Sequence, residues 1–397
     1  MEINTDESRN FIMPCVNTPS PYLITYDPSN PRLEMTTSRA TTVRKGESFN
    51  YWYCQFSCHN SFKCYDILQL MSAKDIDRVK KGKLFIVLDN GLEPFLKSAD
   101  SIYYNIVMRG IPAKQIIFMS SVPNMIDYVN TLSRQLGQDP IRVEWYSLFE
   151  ESMWDVITNQ ITIPLDTLSK KQYNKKYINF NRRWRLHRPL MLTLLKDKSL
   201  IEQGYVSFGK SDFPQDTWSS RWNEMQRYYS ANREVLDILD RNIDIQQMDP
   251  LYLDTDDLVT NRAEQTNSTD KYYLDTYFSL VNETTYHTKP GYDGVPFWSE
   301  KIFKCVGMKH PFIVATAPNS LQYLKQLGYK TFDGIIDESY DLETDDGKRM
   351  IKIVNETERL CKLQSTELEN FLDQAKAICE YNYNVLKNKT EFIKAMN

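Results

Sequence analysis

The chain lacks any run approaching the ~18 consecutive apolar residues of a membrane-spanning helix, so no transmembrane anchor is expected within it. It also lacks the basic and apolar regions of a secretory leader. Met1-Glu2-Ile3-Asn4-Thr5-Asp6-Glu7 is polar and acidic, which points to the cytoplasm. On that expectation the Asn-x-Ser/Thr triplets at Asn267, Asn282, Asn355 and Asn388 are coincidence and not glycan sites. Positive charge is not in excess. A formal net charge of -4 gives no general attraction to polyanions, so a nucleic-acid partner would need a local basic face. Seven cysteines, an odd number, suggest reduced thiols and no disulfide framework. Internal repeats, coiled-coil heptads and low-complexity segments are absent as well. What is present is ordinary: 397 residues, 41% hydrophobic and 25% charged, longer than one hydrophobic core usually grows, so two domains are expected.

Residues 1 to about 50 are polar and carry Pro19, Pro21, Pro28 and Pro31, which predicts an irregular lead-in. Leu84-Phe85-Ile86-Val87-Leu88-Asp89, closed by Asn90-Gly91, is the first clear strand. Helical spacing over 101–109, a strand at 116–119, a helix over 124–136 and a strand at 141–145 follow. Strands alternating with helices of this length predict a parallel sheet covered on both faces. The pattern breaks at 161–176, the expected linker. A second series runs strand 177–180, helix 189–196, strand 204–208, a helix near 223–239, a polar excursion at 249–270, strand 277–281, helix 299–307, strand 312–315, helix 320–327 and a short strand at Thr331-Phe332. Residues 347–397 have apolar residues at near-helical spacing. The domains expected are therefore 1–165, 177–345 and a trailing helical segment, 346–397.

Two segments stand out chemically. Pro296-Phe297-Trp298-Ser299-Glu300-Lys301 delivers an acid and a base to a helix start, with Ser299 as N-cap. Helix N-termini favour anions, and a first-turn lysine adds a full positive charge. Asn181-Arg182-Arg183-Trp184-Arg185-Leu186-His187-Arg188 puts four arginines at the carboxyl end of a strand, where open α/β sheets place ligands. Arginine forks match phosphate oxygens bidentately. The bland readings are an ordinary capped helix and a solvated basic turn paired with the acidic stretch at 254–257. His187 reads as a packing or hydrogen-bonding residue, and Trp298 and Tyr292 read equally as walls of a nucleotide or as core.

With Tyr277-Phe278-Ser279-Leu280-Val281-Asn282-Glu283-Thr284 before it and Pro311 to Val314 after it, the Phe297–Lys301 segment resembles the donor-binding region of the alpha-1,3-fucosyltransferase family. Tyr177 to Asn181, with Arg188, is similar to that family's strand-Ser-Asn segment and its following arginine. The resemblance covers roughly 175–335 and extends to uncharacterised proteins of large tailed bacteriophages. It implies a GT-B glycosyltransferase: two Rossmann-like α/β domains in series, a donor site in the C-terminal one, and a last helix that packs back toward the first. Asn282 and Glu283 stand in the reverse of the family's Glu-Asn order, and Trp-Ser replaces Val-Thr, so the sugar does not carry over with the fold.

On this reading Asn181, Arg182, Arg185 and Arg188 serve the diphosphate with Lys301 and the capped helix start at Ser299. Glu300 serves the ribose, and Glu283 a sugar or ribose hydroxyl. An inverting enzyme also needs a base to deprotonate the acceptor hydroxyl. Asp89 and Glu93, just past a strand end in the first domain, are the candidates; the bland alternatives are a turn-forming side chain and an exposed residue before Pro94. No cofactor is implied beyond the nucleoside-diphosphate sugar as donor substrate. No metal is expected either, since no Asp-x-Asp closes a strand in the donor half and Asp254-Thr255-Asp256-Asp257 lies in a polar stretch. Cys54, Cys58, His59 and Cys64 form the only zinc-like cluster, without the second close pair that structural zinc sites show. The acceptor is a glycan hydroxyl or a hydroxymethylated base of phage DNA, the latter reached by base flipping. The non-enzymatic alternative is a nucleotide- or nucleic-acid-binding interaction protein without turnover.

Overall fold

The computed structural model describes the strands within 3–5, 23–24, 38–44 and 47–56 as backbone. It describes residues 68, 71–91, 96–150, 153, 173–181, 184–209, 217–251, 253, 270–289 and 294–388 in full, and the last helix as backbone on to 395. The fold is mixed α/β with parallel sheets. It divides into two compact units: Met1–Ser152 with Val295–Phe297 and Thr390–Asn397, and Met153–Gly294 with Trp298–Lys389.

The first unit is built on a seven-stranded sheet. Strands β1 (Ile3–Thr5), β2 (Leu23–Ile24), β3 (Ser38–Arg44) and β4 (Glu47–Phe56) precede β5 (Phe85–Asn90), β6 (Ile116–Ser120) and β7 (Arg142–Trp145). β4, β5, β6 and β7 run parallel in that order, while β3 pairs antiparallel with β4 from Ser38↔Tyr53 to Arg44↔Glu47. The expected irregular lead-in is thus corrected: strands occupy part of it. Thr41, Thr42 and Val43 on β3, and the aromatic Tyr51-Trp52-Tyr53 on β4, suit a sheet.

Helices α1 (Ala73–Lys80), α2 (Ser98–Asn105) and α3 (Met125–Leu136) accompany the parallel strands. Helical spacing over 101–109 proves to be the end of α2 followed by a 3₁₀ turn that closes at left-handed Gly110. Alternate strand residues Ile86, Leu88, Ile116, Phe118 and Val143 enter one core with Ala99, Ile102, Met125 and Val129, and Val295 joins the same core. Val87, Ile117 and Met119 are buried on the opposite face, so the central strands are covered on both sides.

The second unit carries a four-stranded, all-parallel sheet in the order β11-β10-β8-β9: β8 (Tyr177–Asn181), β9 (Gly204–Phe208), β10 (Phe278–Asn282) and β11 (Phe312–Ala315). α4 (His187–Asp197) connects β8 to β9. α5 (Trp218–Tyr228), α6 (Arg233–Arg241) and α7 (Asp270–Leu274) precede β10. α8 (Glu300–Gly307) connects β10 to β11, and α9 (Leu321–Gln326), α10 (Asp346–Cys361) and α11 (Ser365–Ala395) follow.

The single helix expected near 223–239 is two, because the side chain of Asn232 accepts from the backbone N–H of Val235 and starts a new helix. Thr331-Phe332 is no strand: the Phe332 N–H goes to the side chain of Glu338 and its carbonyl accepts from Ile335 and Ile336, which makes a turn. The linker at 161–172, most of 249–270, Asp254–Asp257, and the side chains of Cys54, Cys58, His59 and Cys64 lie outside the described residues.

Candidate functional site

β8 and β10 lie side by side, yet the crossover from β8 leads outward to β9 and that from β10 leads outward to β11. Strand order reverses between them, which is where open α/β sheets bind ligands. Register then fixes which side chains meet there. Phe278 pairs with Tyr177 and Ser279 with Ile178, and at the carboxyl ends of the same strands the side chains of Asn282 and Asn181 meet. The Asn282 amide donates to Asn181 Oδ1 at 2.8 Å, the Asn181 amide to Asn179 Oδ1 at 2.5 Å, and the Asn179 amide to the Leu280 carbonyl at 2.6 Å. These three buried amides tie the carboxyl ends of the two strands together.

Two helices begin at those ends. At the first turn of α4, Arg188 is 4% exposed and donates a long hydrogen bond, 3.5 Å, to the Asn282 carbonyl. Its neighbour His187 lies 3.1 Å, Nε2 to O, from the Glu283 carbonyl and stacks on Tyr286 with centroids 5.1 Å apart. Burial, with His287 and Arg188 nearby, holds the His187 pKa well below the ordinary value, so the ring is neutral and donates through Nε2. The expected packing and hydrogen-bonding role is what the ring performs.

At the other helix, Ser299 caps α8, its hydroxyl accepting from the Lys301 N–H at 3.4 Å. Glu283 is 0% exposed and both of its oxygens are engaged: one accepts from the Ser299 N–H at 3.1 Å, the other from the Ser299 hydroxyl at 2.5 Å. Burial raises the Glu283 pKa, opposed by Lys301 and by these hydrogen bonds. Lys301 Nζ reaches Ser299 Oγ at 3.0 Å and Glu300 Oε1 at 2.9 Å. Its side chain is 28% exposed and that of Glu300 55%, so both can meet a solute.

The structure therefore brings Asn181, Arg188, Glu283, Ser299, Glu300 and Lys301 to one place from four separate segments of sequence. Arg185 is exposed one turn before Arg188, and Arg182 lies outside the described residues. Trp298 is buried, and Tyr292 is outside the described residues.

Of the two carboxylates expected in the first unit, Glu93 lies outside the described residues. Asp89 is fully buried at the end of β5. Its Oδ1 accepts from the Gly91 N–H at 2.9 Å and from the Tyr146 hydroxyl at 2.5 Å, so it holds the turn that follows the strand. Among the described residues no group of three or more His, Cys, Asp or Glu could hold a metal, and no helix is long and apolar enough to cross a membrane.

Behind the site lies a buried arginine that no local motif announced. Arg349 on α10 donates to the carbonyls of Tyr286 at 2.7 Å, Glu343 at 2.8 Å and Thr316 at 3.1 Å, pairs with Asp346 at 2.5 Å, and lies 4.3 Å from the Tyr286 ring centroid.

No family model matches the sequence, and no curated protein matches it. Among solved structures the chain is similar to the N-terminal domain of Candida albicans trehalose-6-phosphate phosphatase, at 10% identity and a TM-score of 0.41 over 86% of this chain and 69% of that one. It is similar to the trehalose-6-phosphate synthase OtsA at 11% identity and a TM-score of 0.37, over 83% and 74%. It is also similar to an alpha,alpha-trehalose-phosphate synthase (UDP-forming) from Burkholderia vietnamiensis at 9% identity and a TM-score of 0.38, over 87% and 71%. Likeness at this level assigns no role to any residue.

Proposed function

We propose that the second unit binds a nucleoside-diphosphate sugar at the carboxyl ends of β8 and β10, and that the protein is a metal-independent, inverting glycosyltransferase. The observation that carries this reading is the meeting of Arg188, Lys301 and the capped N-terminus of α8 at the point where strand order reverses. In the reaction the acceptor oxygen bonds to the anomeric carbon while the bond from that carbon to the diphosphate oxygen breaks. The bonding pair leaves with the diphosphate, and the acceptor proton passes to a base. Charge growing on the leaving group is met by Lys301 Nζ, by the N–H groups opening α8 and by the Arg188 guanidinium, with Arg182 and Arg185 alongside.

Glu300, open to solvent in the same turn, accepts from the ribose hydroxyls. Glu283 has both oxygens on Ser299 and serves the donor by holding the start of α8. The base is one of two carboxylates of the first unit, Asp89 at the end of β5 or Glu93, four residues on in sequence. Glu93 is preferred, because Asp89 is fully buried on Gly91 and Tyr146. The acceptor is a hydroxyl of a glycan or of a modified DNA base.

The test is calorimetric titration with UDP, GDP and CMP. Lys301→Ala should weaken binding of the nucleotide by about tenfold or more, the loss of a charge-assisted hydrogen bond, in a variant that remains folded. Turnover should persist in EDTA. Unchanged affinities in the folded variant, or activity abolished by chelation and restored by Mn²⁺, would sink the reading.

A further inference from the structure

We infer that Arg349 is a positioning residue for the donor site, and that α10 is thereby a working part of that site; the inference rests on the donor reading above. A fully buried arginine is expensive unless every N–H it carries has a use. Arg349 is 1% exposed, and its partners are not scattered. Tyr286 lies in the loop leaving β10, Thr316 in the loop leaving β11, and Glu343 in the segment entering α10. One planar guanidinium thus fixes the carbonyls of both loops that leave the strand ends at the edge of the site. Asp346 balances its charge and fastens further groups: it accepts from the Tyr228 hydroxyl, and from the Thr288 N–H at 3.0 Å and hydroxyl at 3.2 Å.

From Arg349 a continuous series of contacts reaches the proposed donor groups. The guanidinium lies against one face of the Tyr286 ring, and the Tyr286 hydroxyl donates back to the Asp346 carbonyl at 2.6 Å. His187 stacks on Tyr286 with an interplanar angle of 21°, and its Nε2–H holds the Glu283 carbonyl at 3.1 Å. Glu283 in turn holds both the N–H and the hydroxyl of Ser299, the residue on which Lys301 Nζ rests. Rings stacked at this spacing do not tilt independently in a packed interior. Displacing the guanidinium therefore displaces His187, and with it the Glu283–Ser299 link. Lysine, one charge on a flexible stem, cannot bridge three carbonyls and a carboxylate at once.

The experiment compares Arg349→Lys and Tyr286→Leu with the parent protein. Tyr286→Leu keeps every backbone carbonyl that Arg349 uses and removes the ring that touches both the guanidinium and His187, together with its hydroxyl's bond to the Asp346 carbonyl. The readouts are melting temperature, calorimetric titration with UDP, GDP and CMP, and KM against kcat for the sugar form of the nucleotide that binds. The expected result is a dissociation constant and KM raised about tenfold or more in both variants at a temperature where they are folded, with kcat changed far less. If Arg349→Lys does not fold, Tyr286→Leu alone decides. A folded Tyr286→Leu that has lost thermal stability but binds as the parent does overturns the positioning role while leaving the donor reading intact. If the parent itself binds none of the three nucleotides, the donor reading fails and this inference fails with it.

Discussion

Gly91 leaves room that Tyr146 occupies. A Cβ at position 91 would sit 2.0 Å from the Tyr146 hydroxyl oxygen, so the Tyr146–Asp89 hydrogen bond exists only because residue 91 has no side chain. The same glycine donates its N–H to Asp89 and accepts from the Ser121 hydroxyl at 2.7 Å, locking the ends of β5 and β6 together. Gly91→Ala should force the tyrosine aside and destabilise the first unit by about 1–3 kcal/mol, the usual cost of overpacking a dense interior. Urea denaturation measures this, and a variant as stable as the parent would mean that the turn relaxes freely. The turn itself was legible from Asn90-Gly91 in the sequence. The use to which it puts Asp89 was not, because the partner that buries the carboxylate, Tyr146, lies 57 residues away. An acidic residue just past a strand end looks alike in sequence whether it faces an acceptor or a tyrosine.

Among the elements, α8 is the clearest case of local sequence deciding local structure. Ser299 before Glu300 and Lys301 supplies the cap and the first-turn charges, and the helix begins where that pattern requires. Ser299 has a second duty that periodicity does not reveal, since its hydroxyl also satisfies the buried Glu283 carboxylate. Ser299→Ala should therefore cost more than the ~1 kcal/mol of an ordinary N-cap, by a further ~1–3 kcal/mol for the buried oxygen left without its donor. Adding Glu283→Gln should recover part of that loss, because the neutral amide asks less of the site. Strictly additive destabilisation in the double mutant would show that the two residues are not coupled. By contrast, α10 was visible only as helical spacing. Arg349 gives no signal, because its partners are backbone carbonyls 63, 33 and 6 residues distant, brought together by the parallel sheet. The strands of that sheet were legible because buried parallel strands read as continuous apolar runs. The β3–β4 pairing was not, because the prolines that precede it in sequence and its own polar residues masked a register that only tertiary pairing reveals.

At the scale of the whole molecule, buried ionisable groups in the second unit set how stability follows pH. Burial holds His287 at about 3 and His310 at about 4, and His187 well below its ordinary value. Burial pushes Glu338 up to about 7 and Asp341 up to about 6. The signs oppose. A histidine with a lowered folded pKa contributes stability above its unfolded value of roughly 6.5, and loses it as pH falls toward the folded value. A carboxyl with a raised folded pKa contributes stability at low pH, and loses it as pH rises through the folded value. The two sets therefore pull stability in opposite directions as acid is added, and Glu283 and Asp270, also raised by burial, act with the carboxyls. Glu338→Gln isolates one contribution. At pH 8 the parent must keep Glu338 ionised where burial disfavours the charge, and glutamine removes that cost while its amide oxygen can still accept from the Phe332 N–H, a 2.7 Å bond in the parent. At pH 5 the folded parent is already protonated there and only the unfolded chain, with an ordinary value of 4.5, still ionises, so most of the gain has gone. The variant should therefore unfold at a higher urea concentration than the parent at pH 8, and by a much smaller margin at pH 5. Equal stabilisation at both values would show that the glutamate's charge is not what the fold resists.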